Sequence, residues 1–123
     1  MLVGLFVWTA VMTAQEVPAG LTDAFKRGSA QDIASYLGDK VEVIILKKSQ
    51  DCNKEQAKKA MADFFAANKV NSFTVNHQGK RNESSFIIGT CPTSGGTYRI
   101  NCFFKKNGNQ YLIHQIRIDK TNE

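Results

Sequence analysis

TYRINCFFKKNGNQYLIHQIRI, Thr97–Ile118, sets two apolar runs on either side of an Asn-Gly turn signal. In the first run Tyr98, Ile100, Cys102 and Phe104 share one side of an extended chain, against Thr97, Arg99 and Asn101. Strand side chains alternate between faces, so this is the pattern of a strand with one buried side. The second run, Tyr111–Ile118, offers Leu112, His114, Ile116 and Ile118 on one side. Turn length decides which sides meet, because a slip of one residue sends every side chain to the other face. A two-residue turn at Asn107-Gly108 would set Tyr111 and Ile113 beside the apolar face and leave Leu112, Ile116 and Ile118 on the polar one. A three-residue loop, Lys106-Asn107-Gly108 with Gly108 left-handed, reunites the apolar sets. The pattern therefore predicts the longer loop, and His114 on the inner face next to Ile100 and Cys102.

Working upstream, Ser84–Cys91 and Ser72–Gln78 read as two further strands, separated by Ser94-Gly95-Gly96 and by Gly79-Lys80-Arg81-Asn82. The same reasoning sets Phe86, Ile88 and Thr90, with Phe73, Val75 and His77, on the inner face. His77 and His114 are then three strands apart, roughly 14 Å at about 4.8 Å per step, too far for a shared metal. Cys91 points away from Cys102, which disfavours a bridge between them.

Before the strands, Ala57, Ala60, Met61, Phe64 and Phe65 recur at spacings of three and four, so residues 53–68 form a helix with Asn53 as N-cap and Gln56 at N3. Lys40–Ser49 is rich in β-branched residues and reads as a strand. Two short helices precede it: one runs from Pro18 to Gly28, and the next opens at Ser29 with Asp32 in the capping-box position and stops at Gly38. The expected fold is α+β, in the order α-α-β-α-β-β-β-β, with a curved antiparallel sheet wrapped around the long helix.

VPAGLTDAFKRGSAQDIASYL (17–37), SFTVNHQG (72–79) and GTYRINCFFKKNGNQYLIHQIRI (96–118) carry a family resemblance. They are similar to the small exported bacterial proteins grouped as domain of unknown function 4783, within the nuclear transport factor 2-like, cystatin-like superfold. The resemblance spans residues 17–118 and implies that fold and export. It implies no activity, because that family has none established and the superfold hosts isomerases, dehydratases and binding domains alike.

The chain is 123 residues long, enough for one domain with its own core. Its net charge of +5 is spread over pairs such as Lys47-Lys48 and Lys105-Lys106, with no longer block of one sign. Nucleic-acid binders concentrate charge on one face and interleave aromatic residues, so nucleic acid is not an expected partner. An apolar run from Leu2 to Met12 is followed by small and polar residues, the pattern of a signal peptide cut after Ala14. Residues 1–14 are read as that leader and 15–123 as a single domain that is exported to the periplasm, cell envelope or medium. The run is too short to span a bilayer. Cys52, Cys91 and Cys102 would meet an oxidising compartment, and an odd count leaves at least one free or paired between chains. Their spacings match no zinc pattern, and neither a metal nor a cofactor is expected.

Acid–base chemistry needs a titratable group with a partner that tunes it. Of the eleven acidic residues only Glu42 falls inside a predicted strand, on the side opposite Val41, Val43 and Ile45, so His114 has no evident carboxylate. The expectation is a non-catalytic binding or interaction domain with no catalytic residue assigned. One candidate pocket lies between the long helix and the sheet, beside His114, Tyr98, Tyr36 and Cys102, and would take a small apolar ligand. One candidate interface lies on the outer sheet face, at Arg99, Tyr111, Ile113 and Arg117, and would take a protein partner or form a homodimer. The alternative is a small isomerase-like or dehydratase-like enzyme using His114 inside the cone.

Overall fold

The structure, a computed structural model, describes residues 18–121. The expected leader at 1–14 and the domain start at 15 lie outside the described residues. The elements are α1 Ala19–Arg27, α2 Ala30–Ala34, β1 Leu37–Ile45, β2 Lys48–Asn53, α3 Lys54–Ala67, β3 Thr74–Arg81, β4 Ser84–Thr93, β5 Gly96–Asn107 and β6 Gln110–Lys120. One sheet runs β2-β1-β6-β5-β4-β3, with all neighbours antiparallel except β1 and β6, which are parallel. This is the expected α+β architecture, a curved sheet closed by helices on one side.

Local chemistry accounts for the helices. The predicted capping box of α3 is complete: Gln56 N–H donates to Asn53 Oδ1 at 2.8 Å, and Asn53 N–H to Gln56 Oε1 at 2.9 Å. Ala57, Met61, Phe64 and Phe65 form its buried stripe. Ser29 caps α2 by accepting from Asp32 N–H, while the Asp32 carboxylate turns to Arg27 instead of closing a box.

The sheet departs from expectation in three places. First, the strand expected over Lys40–Ser49 is a hairpin: β1 turns at Leu46 and Lys47, and β2 returns along it with Ile45 opposite Lys48. Both turn residues have positive φ, 53° and 74°, as a two-residue type I′ turn requires. Leucine and lysine carry none of the usual Asn-Gly signature, which hid the turn.

Second, the phase of β4 is reversed. Ser85, Ile87, Gly89, Cys91 and Thr93 face inward and are buried, while Phe86, Ile88 and Thr90 lie on the outer face. Phe73 decides this. Its ring lies so close over Gly89 that a Cβ there would sit 2.4 Å from the ring, and it stacks on Phe25 of α1 with centroids 4.9 Å apart. Cys91 and Cys102 therefore share the inner face, against the expectation, yet Cys91 sits opposite Tyr98 and Cys102 opposite Ile87. Four residues along a strand are roughly 13 Å, too far for a bridge, and all three cysteines are free.

Third, the β5–β6 turn has two residues, as in the shorter alternative, but they are Gly108 and Asn109, one step past the Asn107-Gly108 pair. Asn107 pairs with Gln110 across Gly108 and Asn109, with Gly108 at φ 67°. The phase conflict seen in the sequence is real, and a β-bulge resolves it where a longer loop was expected. Phe103 pairs with Gln115 and Phe104 with Ile113, so His114 is an extra residue, and Ile113, Ile116 and Ile118 all reach the core. The interval of three between Ile113 and Ile116, in a run otherwise spaced by two, is the sequence mark of that bulge.

The inner face is filled. Leu21, Phe25, Ile33, Leu37, Met61, Ile87, Ile100, Cys102, Phe104, Ile113, Ile116 and Ile118 are at most 1% exposed, and they form one continuous core between helices and sheet.

Candidate functional site

The four residues of the expected pocket do not meet. Tyr98 is 5% exposed at the C-terminal end of α3; its hydroxyl donates to Asn68 Oδ1 at 3.1 Å, and its ring meets the edge of Phe64. Tyr36 is half-buried against α1, with its hydroxyl beside Gly20. Cys102 is fully buried in the middle of the sheet, where burial pushes its thiol far above the ordinary range. His114 belongs to the other end, bonded to the carbonyl of Phe103, five residues or roughly 17 Å along β5 from Tyr98. The space the pocket needed is occupied by the core.

The expected interface divides in a similar way. Arg99 and Arg117 are exposed on the outer face, and Arg117 pairs with Asp119 at 2.9 Å. Ile113 is fully buried, and Tyr111 packs against the core on the inner side with Lys80 above its ring. The short turn puts both on the side opposite to the one expected. His77 is exposed on the outer face opposite Ile88, so neither histidine enters the cone.

His114 instead stands where the sheet is least regular. On one side β6 itself bulges against β5. On the other, β1 takes five steps, Leu37 to Glu42, to cover what β6 covers in two, Ile113 to Gln115. The segment 38–41 arches away, and an open groove of about 820 Å³ lies there, lined by Asp39, Lys40, Val41, Glu42, Asp51, Cys52, Asn53, Lys105 and His114. The Phe103 carbonyl only accepts, so His114 Nδ1, 3.2 Å away, carries the proton and Nε2 keeps its lone pair. Burial and then the Lys105 ammonium hold the imidazole below its ordinary pKa, and Glu42 pulls weakly the other way.

Glu42 is a residue that sequence reasoning set aside. Ser49 donates to one of its oxygens at 2.7 Å and Gln115 to the other at 2.9 Å; these two bonds, Ser49 first, hold its carboxylate below the usual range. A residue counted as alternating away from the core thus stands close enough to His114 to act on its charge.

On the far side of His114 a second cleft, about 460 Å³, is lined by Arg81, Ser84, Ser85, Phe86, Phe103, Phe104, Lys105 and His114. Its cations come from the ends of the hairpins. Arg81 pairs with Ser84 and Ser84 with Lys105 across three strands, so the two charges sit roughly 10 Å apart on the outer face. Neither forms an ion pair with an acidic residue among those described. The pairs Lys80-Arg81 and Lys105-Lys106 flank two turns of one meander, and that placement was the signal available to find them. Among the described residues no group of three or more His, Cys, Asp or Glu could hold a metal ion, and no helix is long and apolar enough to cross a membrane.

Two neighbouring rows cross the outer face. Gly79, Phe86, Phe103, Gln115, Glu42 and Asp51 form one; His77, Ile88, Asn101, Arg117, Ile44 and Ser49 form the other. Phe86 lies over Gly79, whose Cβ, if it had one, would come 2.5 Å from the ring. Asn101 Oδ1, near the centre, is buried and has no hydrogen-bond partner.

Comparison with known proteins agrees with this architecture. No curated protein matches the chain. The crystal structure of a DUF4783 family protein from Bacteroides ovatus is 58% identical, covers 89% of this chain and 100% of its own, and superposes with a TM-score of 0.87. A DUF4783 family protein from Bacteroides uniformis is 56% identical over 87% of this chain and 99% of its own, with a TM-score of 0.84. A domain of unknown function with a cystatin-like fold from Nostoc punctiforme shares only 12% identity over 85% of this chain and 72% of its own, with a TM-score of 0.66, which speaks for the fold alone. The nuclear transport factor 2-like, cystatin-like fold is thus common to close and distant neighbours. The profile of the domain of unknown function DUF4783 matches residues 19–119, and the chain belongs to that family.

Proposed function

We propose that the protein is a non-catalytic binding domain, exported to the cell envelope or beyond, that makes its contacts through the outer face of the sheet. A second copy of the chain is the first partner that this surface fits. The observation behind the reading is the set of apolar side chains that stay only half-buried on this face, Ile44, Ile88 and Phe103. Around Asn101 the face offers the half-buried Ile44, Ile88 and Phe103, the cations Arg99 and Arg117, and the anions Glu42 and Asp119. A surface with both signs of charge around an apolar centre is complementary to its own copy under a two-fold axis.

The small-ligand half of the expectation draws no support from the described residues, where Tyr98 and Cys102 are packed into the core. The apolar run before Ala14 supports export, and mass spectrometry of the natively produced protein should find Gln15 at its N-terminus. For the contact itself, sedimentation equilibrium should give a dimer that Ile88→Glu converts to a monomer without loss of the folded circular-dichroism spectrum. A wild-type chain that stays monomeric at the highest attainable concentration defeats self-association.

A further inference from the structure

The cleft beside Phe103 has a chemistry of its own. Arg81 and Lys105 stand on either side of Ser84, His114 closes one wall, and Phe86 and Phe103, with centroids 6.3 Å apart, form the floor. None of its lining residues is acidic. Glu83, in the turn between Arg81 and Ser84, lines a neighbouring depression that shares Arg81, Ser84 and Lys105 with the cleft, but it forms no ion pair with either cation. Two permanent cations with no acidic partner among the described residues, set above half-buried aromatic rings, form a charged rim over an apolar bed. A volume of about 460 Å³ falls within the range of small-molecule sites.

We propose that this cleft binds a small organic anion, with its carboxylate or phosphate held by Arg81 and Lys105 and its apolar body lying on Phe86 and Phe103. Arginine presents a planar fork that takes such a head group through two parallel bonds, and the lysine adds a point charge. Ser84 supplies a hydroxyl between them. The proposal rests on the reading that the outer face is the binding face. It names the chemistry at one end of that face; Phe103 borders both the cleft and the apolar centre around Asn101, whereas Arg81 and Lys105 belong to the cleft and Ile88 to the self-contact.

The test is a titration of the full folded chain, followed by nuclear magnetic resonance, with phenyl phosphate, benzoate, inorganic phosphate and benzylamine as probes. Phenyl phosphate and benzoate should move the resonances of Arg81, Phe103, Lys105 and His114. Arg81→Gln should weaken phenyl phosphate about tenfold, the loss of one charge-assisted contact, and Lys105→Gln should do likewise. Both side chains are exposed, so neither change should disturb folding. Inorganic phosphate should bind more weakly than phenyl phosphate, and benzylamine should leave the cleft unchanged. Equal binding of inorganic phosphate would remove the role of the aromatic floor, and equal binding of benzylamine the role of charge. Shifts confined to other surfaces, or affinity unchanged in both variants, would also overturn the proposal. Sedimentation reports on self-association and this titration on the cleft, so either can fail without the other.

Discussion

The two faces of the sheet treat the same residue types differently. On the inner face Phe104 is fully buried among aliphatic side chains, whereas Phe103, one residue earlier, is half-buried on the outer face beside Phe86. Each face also covers a glycine with a phenyl ring: Phe73 over Gly89 inside, Phe86 over Gly79 outside. Inside, helix α1 completes the packing around Phe73; outside, Phe86 stays half-buried, with the ring of Phe103 beside it. The inner face serves stability, and the contacts proposed above fall to the outer one.

The sharpest way to break that comparison is to truncate the two neighbouring phenylalanines. Phe104→Ala should cost about 3–5 kcal/mol, because it opens a cavity in a core that cannot collapse around it. Phe103→Ala should cost about 1 kcal/mol, in keeping with its partial burial. Denaturant midpoints measure both, and equal losses would show that the outer face contributes as much to stability as the inner.

A smaller effect sits at the β1–β2 turn, where Leu46 and Lys47 hold positive φ at roughly 1–2 kcal/mol each. Replacing them with Asn-Gly should raise stability by about 1–2 kcal/mol by thermal melting. An unchanged melting temperature would mean that the turn reshapes around its residues.

The third prediction concerns His114 alone. Its imidazole titrates below the ordinary value, so its charged form is disfavoured in the folded chain. The unfolded chain therefore binds more protons in that window, and stability should fall as pH drops through the unfolded pKa, levelling off below the folded one. By proton resonance, Lys105→Gln should raise the His114 pKa and Glu42→Gln should lower it. Shifts of the opposite sign would separate His114 from both charges.

The helices, the cap of α3 and the meander of the last four strands were legible because each rests on local signals: the spacing of Ala57, Met61, Phe64 and Phe65, the Asn53–Gln56 pair, or the turns between strands. The face that each strand presents was less legible. Residues 84–91 are apolar in both phases, and only Phe73, eleven residues upstream of Ser84, selects Gly89 for the inside. The bulge at His114 could be read from the Ile113–Ile116 interval, but a longer loop satisfied the same pattern and concealed it. Both candidate sites inherited these errors. The pocket was assembled around a histidine on the wrong wall, and the interface around Ile113, which is buried. Glu42 was set aside and Arg81 was read only as a turn residue, because their neighbours come from register across strands, which no single segment contains.

The free cysteines have a practical consequence. Cys91 and Cys102 lie under the inner face, where burial alone raises the Cys91 thiol to about 11 and pushes Cys102 higher still. Neither forms a thiolate while the core is closed, so both are spectators to oxidants that reach only the surface. Their reaction with a thiol-specific dye then runs at the pace at which the core opens, and the protein carries its own stopwatch for unfolding.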